Sequence, residues 1–66
     1  MRVGIAIDEW KLSIFERKLQ QAGFAYEKGG GLMPDTLMLY VDTDNLHTLE
    51  SVVRFANMEA AWSKAT

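Results

Sequence analysis

Thr36-Leu37-Met38-Leu39-Tyr40-Val41-Asp42 is the stretch on which the fold turns. Its residues alternate cleanly, Leu37, Leu39 and Val41 on one face and Met38 and Tyr40 on the other, which predicts a β-strand. Upstream, Gly29-Gly30-Gly31-Leu32-Met33-Pro34-Asp35 holds three glycines and a proline and predicts a loop. Phe24–Lys28 before it predicts a short strand. Still earlier, Asp8–Ala22 predicts a helix, with Asp8 at the N-cap, Glu9 in the first turn and Gly23 as the stop. Val3, Ile5 and Ile7 alternate with Gly4 and Ala6 and predict the first strand. Downstream, Asp42-Thr43-Asp44-Asn45 turns the chain, and Asp44 or Asn45 caps a helix over Leu46–Lys64.

The order is therefore β-α-β-β-α, an α+β fold in one domain spanning 1–66. A helix between strands 1 and 2 predicts that they run parallel, and a loop between strands 2 and 3 predicts antiparallel pairing. The simplest arrangement is a three-stranded mixed sheet of order 1-3-2 with both helices on one face. It resembles a ferredoxin-like unit lacking its last strand. An edge would stay open at strand 1. The other sheet face would carry Met38 and Tyr40 beside the small residues Gly4 and Ala6.

The chain has 66 residues, 48% of them hydrophobic and 24% charged, with no cysteine and one histidine. A domain of this size buries only about 60% of its unfolded surface and commonly needs a staple. Disulfides, thiolate metal sites and a multi-histidine zinc site are excluded by composition, which leaves oligomerisation. A net charge of −2 argues against binding long nucleic acid, which rewards a basic field. The apolar runs fall short of the roughly 18 residues of a membrane span, and Met1–Asp8 lacks the apolar length of a signal peptide. A cytoplasmic location is the expectation.

Both predicted helices carry two apolar stripes. In the first, Leu12, Phe15, Leu19 and Ala22 form one, with Trp10 and Ile14 roughly opposite. In the second, Leu49, Val52, Val53, Ala56 and Ala60 form one, and Phe55, Met58 and Trp62 form another. A helix lying on one sheet needs a single apolar face. Ile14, Phe55, Met58 and Trp62 are therefore the expected interface with a second copy or another partner.

Lys28 followed by Gly29, Gly30 and Gly31 suggests an anion cradle, because consecutive glycine N–H groups can converge on a phosphate. The spacing is not that of a P-loop. The plainer reading is a hairpin loop. Tyr40 and Trp10 are candidates to stack on a base, and Arg54 to meet a phosphate. Asp42, Asp44 and Asn45 open like a calcium loop, but His47 and Val53 stand where its glycine and glutamate belong, and helix capping accounts for the same residues. One histidine and no cysteine supply no nucleophile–base constellation. Neither an enzyme, a cofactor nor a metal is expected.

The runs Ile7-Asp8-Glu9-Trp10-Lys11, Ile14-Phe15-Glu16, Gly23-Phe24 and Asp35 through Asn45 are similar to short uncharacterised proteins of bacteriophages and prophages. That resemblance implies a setting rather than a mechanism, since small phage counter-defence proteins commonly inhibit a host protein or sequester an immune nucleotide signal. The resulting expectation is a non-enzymatic homo-oligomer binding a small anionic, nucleotide-like ligand through Lys28, Gly29, Gly30, Gly31, Tyr40, Arg54 and Trp10. The alternative is a protein-binding module that inhibits a host protein or serves as an assembly subunit.

Overall fold

The structure, a computed structural model, describes residues 1–65. Strand β1 covers Arg2–Asp8, a short 3₁₀ turn Glu9–Lys11, helix α1 Leu12–Gln21, strand β2 Tyr26–Gly30, strand β3 Thr36–Asp42 and helix α2 Leu46–Ala65. The strands form one sheet of order β1-β3-β2. β3 lies in the middle, antiparallel to both neighbours. β1 and β2 thus point the same way but never touch. The expected mixed sheet is corrected to a wholly antiparallel one: with β3 between them, the two like-directed strands have no ladder to share.

Register assigns the faces. Val3, Ile5 and Ile7 of β1 stand opposite Val41, Leu39 and Leu37 of β3. Together with Phe15 and Leu19 of α1 and Leu49, Ala56 and Ala60 of α2 they build one apolar core. Both helices contribute to that single core, so they cover the same sheet face. Phe15, Leu19, Leu39, Leu49 and Val41 are the largest fully buried side chains.

The element ends follow from local chemistry. Asn45 caps α2, its Oδ1 accepting from the Thr48 N–H at 3.2 Å. At the end of α1 the Phe24 N–H donates to the Leu19 carbonyl and the Gly23 N–H to the Gln20 carbonyl. This is a Schellman closure, and Gly23 supplies its left-handed residue at φ 82°. Phe24 then packs onto the core beside Leu19. The beginning of α1 differs from the expectation. Asp8 ends the strand in extended conformation and caps nothing with its side chain. It faces Lys11 at 3.8 Å instead.

Two further expectations are corrected. Gly29 and Gly30 belong to β2 rather than to a loop, opposite Met38 and Leu37. Ile14 is a core residue rather than part of an outward stripe. α1 contacts both the sheet and α2, so its buried face is wider than one four-residue stripe. Where α1 meets α2, Glu59 accepts from Arg17 and from Lys18, the latter at 3.1 Å.

Candidate functional surfaces

The sheet face away from the helices is a flat platform centred on Tyr40. Its row reads Gly4, Tyr40, Glu27 across the three strands, and the next row Ala6, Met38, Gly29. A Cβ added at Gly29 would lie 2.9 Å from Tyr40 Cε2, and one at Gly4 3.5 Å from Cε1. The ring therefore lies over the backbone with one edge against each glycine. Gly29 is what allows the ring to lie so low, whereas at Gly4 the ring contact is ordinary and the closer neighbour is Met38 Cε at 3.0 Å. Arg2 completes the arrangement: its guanidinium sits 4.8 Å from the ring centroid and 3.6 Å from Glu27 Oε1. No sequence pattern marks Arg2 for this role, because its place beside Tyr40 depends on the β1–β3 register. The pair with Glu27 is exposed and contributes about 0–1 kcal/mol.

Lys28 lies on the other sheet face. It stands opposite the buried Leu39, and its ammonium is 3.7 Å from Glu16 Oε2 on α1. Glu16 also accepts from the Tyr26 hydroxyl at 2.7 Å, and that hydroxyl accepts from Gln20 Nε2 at 3.2 Å. The bond to Glu16 pushes the Tyr26 pKa above its ordinary value; burial adds to the rise and Gln20 opposes it. Lys28 thus belongs to a small network that fastens β2 to α1. Gly29 is shielded by Tyr40, and the Gly31 N–H donates to the Thr36 carbonyl at 3.2 Å. The glycine N–H groups do not converge as an anion cradle would require.

Trp10 stands elsewhere again, on the 3₁₀ turn. The ammonium groups of Lys64 and Lys11 lie 4.9 Å and 5.5 Å from its rings. It borders a shallow depression with Glu9 and Asp35. Arg54 projects from α2, exposed and with no carboxylate partner among the described residues. The seven residues expected to hold one ligand are therefore spread over both faces of the sheet, the 3₁₀ turn and α2. Only Tyr40 and Gly29 meet.

Three of the four expected interface residues do share a surface. Phe55, Met58 and Trp62 are 58%, 52% and 75% exposed, on the side of α2 turned from the core. Their spacing of three and four residues keeps them on one face. Arg54 adjoins them.

A further feature is an open groove of about 370 Å³ between β1 and α2. Val3, Gly4, Ile5 and Ala6 form one wall; Leu46, Leu49, Glu50 and Val53 form the other. Four consecutive strand residues in one wall mark it as the sheet's edge.

Among the described residues no group of three or more His, Cys, Asp or Glu is placed to hold a metal ion, and no helix is long and apolar enough to cross a membrane. Set beside protein-family models, curated proteins and solved structures, the chain matches none of them.

Proposed function

We propose that this chain is a non-enzymatic protein-binding module of the cytoplasm that docks a host or phage protein through the outer face of α2. The exposed row Phe55, Met58 and Trp62 carries this reading. Aromatic side chains and methionine are enriched at protein interfaces, and a helix offering anchors three and four residues apart suits an apolar cleft. Burying the exposed part of each anchor would contribute roughly 1–2 kcal/mol. Three anchors together reach only the low end of the roughly 4–15 kcal/mol that association costs. A stable complex therefore needs further buried area around these anchors, and a partner carboxylate for Arg54 at the rim of that cleft would fix its orientation. The β-α-β-β-α order, taken as a ferredoxin-like unit without its fourth strand, supports a compact scaffold that presents α2.

The test is a quantitative pull-down with the wild type and a Phe55→Ser/Trp62→Ser variant. A stoichiometric partner retained by the wild type and lost by a variant of unchanged helicity is expected. Equal recovery by both proteins would refute docking through α2.

A second reading draws on the platform, where an aromatic ring and a guanidinium lie together at Tyr40 and Arg2. It is a homo-oligomeric anti-defence sponge for a small anionic, nucleotide-like ligand. Native mass spectrometry of protein purified from a bacterial host separates the two. A retained small-molecule mass that Tyr40→Ala abolishes favours the sponge.

A further inference from the structure

Among the described residues, the outer edge of β1 has no strand beside it. In the β1–β3 ladder, Met1 and Glu9 mark the phase: the Thr43 N–H donates to the Met1 carbonyl and the Glu9 N–H to the Asp35 carbonyl. Antiparallel ladders alternate, so Val3, Ile5 and Ile7 spend their backbone groups on β3. Arg2, Gly4, Ala6 and Asp8 turn theirs outward. That edge lacks the usual guards. No proline, bulge or lysine interrupts it, and its middle residues are the small Gly4 and Ala6. The opposite edge, at β2, carries Lys28 among its outward residues. Beneath the β1 edge runs the largely apolar groove whose α2 wall is Leu46, Leu49 and Val53 with Glu50.

We propose that the β1 edge pairs antiparallel with the β1 edge of a second copy, in the register that sets Arg2 against Asp8, Gly4 against Ala6 and Ile5 against Ile5 of the other chain. Charge selects this occupant and this register. The strand's two ends carry opposite charges, Arg2 and Asp8, and a two-fold axis at Ile5 brings each against its complement twice. In this register every outward N–H and C=O from Arg2 to Asp8 meets a partner. A shift by one pairing step leaves Arg2 or Asp8 without a partner and sets Gly4 against Gly4 or Ala6 against Ala6. On the helix side Val3, Ile5 and Ile7 of the incoming strand line up with Ile7, Ile5 and Val3, and they fill the groove under α2. On the platform side Arg2 and Asp8 are both exposed. Their present partners are the exposed Glu27 and the partly buried Lys11, at 3.6 Å and 3.8 Å. The two sheets become one continuous six-stranded sheet, and both α2 outer faces stay free. The inference is independent of the docking function proposed above.

Sedimentation equilibrium or light scattering across micromolar concentrations tests it. The wild type is expected at twice the 7.5 kDa chain mass. Ala6→Pro is expected to be monomeric with an unchanged circular dichroism spectrum, since proline removes only an outward N–H. Arg2→Asp and Asp8→Arg, each alone, should raise the dimer dissociation constant about tenfold, because each sets like charges together at both symmetric contacts. The double swap should restore it, and that restoration requires folded protein. A monomeric wild type overturns the proposal. So does a dimer that Ala6→Pro leaves intact, or a double swap no tighter than its singles.

Discussion

An alanine scan of Gly29, Gly30 and Gly31 should give three different results, because each glycine meets different surroundings. At Gly31 a new Cβ would overlap Thr36 Oγ1 and lie 2.6 Å from the Thr36 carbonyl carbon and oxygen. Backbone atoms cannot swing aside, so the mouth of the β2–β3 hairpin must open. The Gly31 N–H bond to Thr36 is then lost, and the two bonds between Thr36 Oγ1 and Met33 are strained. One net hydrogen bond at about 1 kcal/mol and overpacking at about 1–3 kcal/mol give a loss of roughly 2–4 kcal/mol. A chain of this length has only roughly 3–10 kcal/mol in all. With a urea slope near 1 kcal/mol/M, the midpoint should fall by about 2–4 M. At Gly30 the new Cβ meets nothing within 4 Å, and the glycine's φ is not positive. Gly30→Ala should raise stability by about 0.4–1 kcal/mol by restricting the unfolded chain. At Gly29 the Cβ meets the edge of the Tyr40 ring at 2.9 Å. The ring must tilt, at a cost of about 1 kcal/mol, and the near-ultraviolet circular dichroism of Tyr40 should change. Urea denaturation of the three variants decides the matter. A uniform response, or Gly30→Ala as the most damaging change, would refute the strand placement and return these residues to a flexible loop.

Two further outcomes follow from local geometry. The Tyr26 pKa is raised above its ordinary value of 10.0, so its hydroxyl supports the fold fully below that pH and loses its effect as pH rises through the folded-state value. Tyr26→Phe should cost about 1 kcal/mol at pH 8 and flatten the decline in stability between pH 9 and 11, and an unchanged slope would contradict the Glu16 bond as its cause. Gly23→Ala finds open space for its Cβ but must hold φ 82°, so it should lose about 1–2 kcal/mol, seen as a fall in Tm of roughly 4–16 °C; an unchanged Tm would remove the Schellman closure from the account.

Local signals were legible where one physical cause dominates. Alternation marks β3 with the bounds the structure has, Gly23 marks the end of α1, and of the two cap candidates Asp44 and Asn45 it is Asn45 that caps α2, all through local chemistry that needs no tertiary partner. The glycines of β2 were not legible. Glycine weakens a strand on propensity alone, but Gly29 lies beneath Tyr40, and that contact depends on a register no single segment reveals. The first helix misled for a related reason. Asp8–Ala22 was expected to be one regular helix, whereas a strand end and a 3₁₀ turn occupy its first four residues. The turn advances by about 120° per residue, not 100°, so Trp10 and Ile14 do not share a face as α-helical counting has it.

This difference bears on where the surplus apolar surface lies. The second stripe expected on α1 dissolves: Ile14 enters the core, and Trp10 stands between two lysines. The second stripe of α2 persists because that helix begins at a side-chain cap and stays regular, so Phe55, Met58 and Trp62 keep their common face while Leu49, Ala56 and Ala60 are buried. The exposed apolar surface thus concentrates on α2, with the groove beside β1 as a second, separate surface. The two are chemically unlike. α2 offers large side chains and an exposed guanidinium, which suits a foreign cleft. β1 offers backbone hydrogen bonds, small side chains and opposite charges at its ends, which suits its own image. A dimer paired through β1, as proposed above, would still present two copies of the α2 face, and such a bivalent display would strengthen binding wherever the partner is itself repeated.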